Sequence, residues 1–391
     1  MNRTTTVTSI VAVTLIAVAG FTLAGPLNPP VGPVASTMKT MTEVEPRIAV
    51  NAANTPGQSA NELRITQPGS YYLPGNLNGL SIMIVASDVT LDLNGFRISG
   101  GSVAAGTQNR IVLRNGSIIS PTSYGVGFDS CSDCTIEDLN VANSGSDGIR
   151  CGKRAVVRRC HITQAGQNGL YPREDSRIED CTAAQCVQNG FAAEGETQFI
   201  RCTASRNTGD GFNDGWMFES CTALHNTGRG FYVAGTAINC RAAWNNDGFT
   251  VLQSAERCTA SHNAGIGFNV ARDATVRACR ADGNTHQGFR LIGSYGSAYD
   301  CVASGNGGNS QAGIWINGSS CHVEGNHCIE NGWGIFIDPG VTGNYVVGNT
   351  CSSNPLGGFN AIPASNSVAP IVNNPGFNVF ATTTPLSNIV H

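Results

Sequence analysis

The sequence predicts an all-β fold: a right-handed parallel β-helix of about thirteen turns with a cap at each end. Three periodic observations predict it. A cysteine recurs at a near-constant interval (Cys160, Cys181, Cys202, Cys221, Cys240, Cys258, Cys279, Cys301), and an asparagine follows most of them by five residues (Asn207, Asn226, Asn245, Asn263, Asn284, Asn306). A Gly-Phe pair comes next in each copy, from Gly190-Phe191 to Gly288-Phe289.

A chain of 391 residues has room for two or three ordinary domains, but a repeat running through most of it argues for one elongated unit. Only 13% of residues are charged and 48 are glycine, a composition suited to tight turns and poor in amphipathic helices. The net charge of -4 and the lack of a basic, aromatic-interleaved stripe exclude nucleic acid as a partner.

Residues 1–24 are expected to be a signal peptide. Arg3 supplies the charge, Val7 to Leu23 the apolar stretch, and Thr22-Leu23-Ala24 the small-residue boundary before Gly25. The competing reading is an uncleaved anchor; the short apolar core, broken by Thr8, Ser9 and Thr14 and followed by Pro26, Pro29, Pro30 and Pro33, favours cleavage. No other segment is long enough to span a bilayer, so the mature chain is expected in the periplasm, the cell envelope or the exterior.

Residues 25–80 are expected to form an N-terminal segment and cap. Thr40 to Val50 has the pattern of a short amphipathic helix, with Met41, Val44 and Ile48 inward and Thr40 and Glu43 as a capping box, although Pro46 interrupts it.

Residues 81–354 carry the coil. With Ile178, Phe199, Phe218, Ala237, Ala255, Val276 and Ala298 as position zero, Cys falls at plus three, Ala at plus five and Asn or its substitute at plus eight. The break from strict period two at plus two, occupied by Asp180, Arg201, Ser220, Asn239, Arg257 and Asp300, marks a kink at a solvent-facing corner. The same frame reaches upstream through Val89-Thr90-Leu91, Ile111-Val112-Leu113, Ile136 and Val157, and downstream through Val323 and Val346. At one strand spacing per turn the shaft is on the order of 60 Å long. The Asn column is expected to satisfy backbone groups at a turn, the Phe column to stack beside it, and the Gly before each Phe to supply a positive φ. Residues 355–391, rich in Pro and Asn, are expected to lie over the last coil as a loop cap.

Other repeat folds fit less well. Leucine-rich repeats need several Leu per repeat, and only five lie between Cys131 and Thr350. Spacings of 18, 19, 21, 22 and 25 do not suit a hexapeptide coil, and the GGxGxD of calcium-binding nonapeptides is absent.

Fifteen cysteines in an exported chain would ordinarily mean disulfides. Stacked side chains pointing the same way are poorly placed for an S–S bond, so the ladder is expected to consist of buried free thiols. Cys131 with Cys134, Cys181 with Cys186, and Cys321 with Cys328 are near enough in sequence to bridge. CxxC at Cys131 has no second ligand pair, so no metal site is assigned; calcium shared between carboxylates is the one cofactor the pattern allows.

Together with Gly25-Pro26-Leu27-Asn28-Pro29-Pro30, Pro68-Gly69-Ser70-Tyr71-Tyr72-Leu73 and Val89-Thr90-Leu91-Asp92-Leu93-Asn94-Gly95-Phe96, the repeat resembles the right-handed parallel β-helix proteins of the pectate-lyase-like superfamily. Within it, these segments are most similar to a subgroup of exported bacterial proteins mostly without assigned activity. The resemblance implies the fold and, for the enzymes among its members, acidic polysaccharide substrates. Their motifs do not carry over: Asp-Asp, Gly-His-Gly and Arg-x-Lys are absent, and Pro172, Arg173 and Arg177 give a fragment of the lyase Arg-x-Pro-x-x-Arg. Gly334-Ile335-Phe336-Ile337-Asp338-Pro339 echoes the epimerase Tyr-Gly-Phe-Asp-Pro-His without its Tyr or His.

The candidate site is therefore read from position. Polar residues after the Gly-apolar corner in consecutive coils are Tyr171, Arg173, Glu174 and Asp175, then Glu194 and Glu196, then Asn213, Asp214 and Trp216, then Tyr232. Arg173, Asp175, Glu194 and Asp214 are the candidate catalytic residues, and Tyr171, Glu196, Asn213, Trp216 and Tyr232 the candidate substrate-binding ones. Carboxylates about 5–10 Å apart can share acid/base work or an ion, while aromatics stack on sugars. A weaker strip, Arg206, His225, Trp244 and His262, precedes the Asn ladder. The expected function is binding or processing of an extracellular or envelope polysaccharide, the alternative a structural or adhesive spacer without activity.

Overall fold

The computed structural model describes residues 45–308, 310–360, 364–373 and 386–390. The chain divides into units 1–46 and 47–391, and all but two described residues belong to the second. That unit is a right-handed parallel β-solenoid of about fifteen turns, two more than expected, with no helix among the described residues. Each turn contributes one short strand to each of three parallel sheets.

The first sheet runs from Glu62–Ile65 through Phe231–Ile238 to Gly357–Phe359. The second begins at Ile48–Ala49, which pairs with Gly69–Tyr72, and holds the zero positions in register: Ile178 against Phe199, Phe199 against Phe218, and on to Ala298 against Val323. The third includes Thr182–Ala184, Thr203–Ser205 and their successors, down to Thr350–Ser352 and Asn388–Val390. Strands thus lie on both sides of the 81–354 span.

The upstream and downstream extensions pair as expected, Leu91 with Leu113, Leu113 with Ile136, and Val323 with Val346. The amphipathic helix does not form where the chain is described. Ile48–Ala49 is a strand, and Asn51 Oδ1 accepts the amides of Ala53 and Asn54 in the turn that follows. Pro46 and the β-branched Ile48 and Val50 disfavour a helix here, and Val50 reaches the core from an extended backbone. Residues 40–44 of that expectation, and the signal peptide, lie outside the described residues.

The core is a stack. Phe191, Phe212, Phe231, Phe249, Phe268 and Phe289 are fully buried, with successive ring centroids 4.7–4.9 Å apart and ring planes within 9°. Rings attached to strands one hydrogen-bonding step apart inherit that spacing, so face-to-face contact follows from the register. Phe199 and Phe218 come from the second sheet, stack on each other at 5.4 Å and meet this column edge-on at 5.5–5.7 Å centroid separations.

The kink at plus two is a single left-handed residue: φ is 52–55° at Asp180, Arg201, Ser220, Asn239, Arg257 and Asp300. The glycines before the Phe column work differently from expectation, for none of Gly190, Gly211, Gly230, Gly248, Gly267 and Gly288 has a positive φ. Their need is space. A Cβ on Gly248 would lie 2.3 Å from the Gly267 carbonyl oxygen and 2.7 Å from Ala260 Cβ, so the hydrogen atom there lets adjacent coils close.

All fifteen cysteines are buried free thiols, and the three sequence-near pairs are not bridged. Each ladder thiol works as a corner hydrogen-bonding group. Cys202 Sγ donates to the Ile178 carbonyl at 3.5 Å, and the Cys240 amide donates to Cys258 Sγ at 3.4 Å. The Asn column repeats this with stronger groups: Asn226 Nδ2 donates to the Ala204 carbonyl at 3.2 Å and to Asn245 Oδ1 at 2.9 Å.

Candidate functional site

The strand that follows each Gly-apolar corner points its second residue out of the first sheet. Register aligns Gly127, Arg150 and Tyr171 in one outward column, continued through Ala192 and Asn213; Tyr232, Thr250, Asn269, Arg290, Trp315 and Phe336 follow. Of the expected site residues, Tyr171, Asn213 and Tyr232 therefore share a face. Arg173 and Glu194 sit at the end of the same strands: the Tyr171 hydroxyl donates to Glu194 Oε1, and Arg173 Nε lies 4.0 Å from Glu194 Oε2. Burial, then the bond to Glu194, raises the Tyr171 phenol above its ordinary range, so it stays protonated and acts as a donor.

Asp175, Glu196, Asp214 and Trp216 lie instead at the corner that leads to the second sheet. Asp175 and Asp214 are exposed residues with φ of 60°, a backbone that short Asp side chains adopt more readily than most. Asp175 continues a corner column in which Asp88 pairs with Arg110 at 2.6 Å and Asp133 with Arg154 at 2.7 Å. Asp175 is the next acidic member of this alternating series, and its charge acts on Arg154 of the preceding coil. Trp216 covers Gly235 of the next coil, its Cδ2 3.0 Å from the position a Cβ would occupy.

The face also holds residues that the sequence reading passed over. Arg150 lies over two rings, its Cζ 5.1 Å from the Tyr124 centroid and 5.0 Å from that of Tyr171, and its Nη1 donates to Tyr124 Oη at 2.9 Å. Arg229 covers Tyr232 at 4.7 Å and pairs with Asp210 at 2.9 Å. The signal for Arg150 was present, since Gly148-Ile149 is the same corner as Gly190-Phe191 and Arg150 takes the next, outward place.

Three polar atoms on or beside this face are shielded and lack hydrogen-bond geometry: Arg150 Nε, 3.5 Å from the Asp147 carboxylate, Arg173 Nε, beside Glu194, and Asn269 Oδ1. Further along, Asp338 accepts from Trp315 Nε1 at 2.8 Å and from Asn317 Nδ2, so both oxygens of the echoed epimerase motif's carboxylate are engaged within the protein. Among the described residues no His, Cys, Asp or Glu group is arranged to hold a metal ion. On the opposite corner, Trp244 stacks on His262 at 4.6 Å and on His225 at 6.1 Å, leaving ring edges outward and faces covered.

Residues 94–237 and 236–374 match the family described as the right handed beta helix region. The chain belongs to that family of parallel solenoids. Solved structures similar to it include the A-module of the Azotobacter vinelandii mannuronan C-5 epimerase AlgE4, 16% identical with a TM-score of 0.48, covering 77% of this chain and 91% of that one. Another is the catalytic unit of a thermostable alpha-1,3-glucanase from Streptomyces thermodiastaticus, 13% identical with a TM-score of 0.35, covering 94% and 69%. A third is the tailspike protein of E. coli bacteriophage HK620, 12% identical with a TM-score of 0.41, covering 91% and 80%. At these identities the likeness is one of fold alone. No curated protein matches the chain in sequence.

Proposed function

We propose that the protein, exported to the envelope or exterior, binds an acidic polysaccharide along the outward face of the first sheet. The observation that carries this reading is the row of groups with hydrogen-bonding capacity left over, Arg150, Arg173 and Asn269, on a face that also presents Tyr124, Tyr171 and Tyr232. A shielded polar atom without a hydrogen bond costs about 1–3 kcal/mol, less where a carboxylate stands at 3.5–4.0 Å as it does for both arginines, and a ligand group that completes the bond removes that cost. Guanidinium groups suit sugar carboxylates, tyrosine rings suit sugar faces, and coils about 4.8 Å apart match a chain of pyranose units running along the shaft. Tyr171, whose one O–H is given to Glu194, would hold that carboxylate beside a bound sugar as an acceptor for its hydroxyls.

The test is binding of uronate-rich and neutral polysaccharides, with and without calcium, to the mature chain and to Arg150→Ala/Arg173→Ala. Selective binding of the uronate polymers, lost in the double variant at unchanged melting temperature, supports the reading. Release of new chain ends, abolished by Glu194→Gln, would extend it from binding to processing. Equal binding by wild type and double variant overturns it and leaves the spacer reading, which the uniform one-residue corners between the second and third sheets favour.

A further inference from the structure

The second sheet carries, in its last coils, a polar cluster that the first face does not use. His322 and Tyr345 share one outward column, and Tyr299 and Glu324 share the neighbouring one. Tyr299 Oη and His322 Nδ1 are 3.2 Å apart, and the rings of Tyr299 and Tyr345 meet the imidazole edge-on at 5.0 and 4.9 Å. Arg277 holds Tyr299 from the other side, 4.7 Å above its ring, while pairing with Asp300 at 3.3 Å. His322 Nε2 approaches Glu324 Oε2 to 3.0 Å without hydrogen-bond geometry. The carboxylate, 44% exposed, thus keeps lone pairs turned toward solvent.

Tyr345 is also one wall of a cavity of about 710 Å³, whose other walls include Val347, Val368, Ala369, Pro370 and Leu386. Val347 is the register partner of Glu324, so the strand that carries the carboxylate neighbours a strand that walls the cavity. A concave, mostly apolar space of this size beside a few fixed polar groups is the usual form of a small-ligand site, about 300–1,000 Å³.

We propose that this place is a second binding site, for a neutral sugar carrying an apolar substituent, the methyl of an N-acetyl or 6-deoxy group. Sugar hydroxyls donate to Glu324, the apolar ring face lies on Tyr345, and the methyl enters the cavity, where it leaves water. Glu324 repels a sugar carboxylate, the opposite preference to that of the first face. The site stands independently of the function proposed above.

Ligand-observed NMR on the full mature chain with N-acetylglucosamine, fucose, glucose and glucuronate tests it. At least one methyl-bearing sugar is expected to bind at least tenfold more tightly than glucose or glucuronate. Glu324→Gln and Tyr345→Ala should each weaken it tenfold at an unchanged melting temperature, Ala369→Leu should remove the methyl preference by filling the cavity, and Tyr345→Phe should retain binding. Arg173→Ala, on the first face, should have no effect. Binding of none of the four sugars, equal binding of glucose or glucuronate, or indifference to both Glu324→Gln and Tyr345→Ala overturns the proposal.

Discussion

Cys301 and Asn326 occupy the same corner in adjacent coils, and the Cys301 amide donates to Asn326 Oδ1 at 2.9 Å. The thiol column ends there and an amide column takes over. The same exchange occurs where Cys186 meets Asn207 at 2.9 Å and where Cys321 meets Asn344 at 2.8 Å. Thiol and amide are therefore alternative solutions to one problem, a corner whose amide needs an acceptor and whose carbonyl needs a donor from the next coil.

Cys301→Asn should fold with a melting temperature near that of wild type, because it lengthens the amide column by one member. Cys221→Asp should lose on the order of 3–5 kcal/mol, since it buries a charge with no cation beside it. Thermal melts of the two variants decide the matter, and an unchanged melt for Cys221→Asp contradicts the buried ladder.

Asn245→Leu should cost at least about 3 kcal/mol. It leaves the Asn226 amide, the Asn226 side chain and the Ala223 carbonyl without their bonds of 3.0, 2.9 and 3.0 Å, each orphan costing about 1–3 kcal/mol. Denaturant unfolding measures the difference.

Gly248→Ala should destabilise by about 1–3 kcal/mol although its φ is ordinary, because a methyl 2.3 Å from the Gly267 carbonyl forces two coils apart. The same substitution at Gly95, where no atom lies within 4 Å of the added Cβ but φ is 78°, tests backbone conformation alone. Equilibrium unfolding of the pair separates crowding from conformation.

Hydrogen bonds from Arg159 and Arg201 hold the carboxyls of Asp138 and Asp180 below their ordinary range. Such groups add stability that is complete above the unfolded carboxyl pKa, about 3.9, and is lost as pH falls through the lower folded values. Arg159→Met/Arg201→Met should therefore melt below wild type at neutral pH and low salt, with the gap closing in high salt and in acid below about pH 4. Melts across pH and ionic strength check the sign.

Burial pushes the Cys186 thiol up to about 11 and that of Cys151 higher still. A thiol-reactive dye at pH 8 should find the native protein unreactive and the denatured protein with fifteen reactive groups.

The coil was legible because its period is written in residues that each answer a contact with the next turn: Cys at plus three, Asn at plus eight and Phe after Gly. The site was legible only in part. Tyr171 and Glu194 lie together on the first face because both follow the corner, whereas Asp175 and Asp214, gathered by the same offset, sit at left-handed positions away from the first sheet's strands. A rule based on sequence offset cannot separate the last outward strand residue from the first corner residue when coils differ in length by two, as those of Glu194 and Asp214 do. Tyr299, His322 and Glu324 escaped notice because their contact is diagonal, between columns that no single offset joins.

The unbroken row from Cys160 to Cys301 has a consequence for how the molecule ages in an oxidising solvent. A coil that opens uncovers several thiols at once, close enough in the loosened chain to cross-link. A bond formed in that state holds sulfurs in a geometry the closed stack does not accept. Each brief opening is then a step that oxidation makes one-way, and loss of the fold should begin where thiols stack in adjacent coils, along Cys160 to Cys301 and at Cys328 with Cys351.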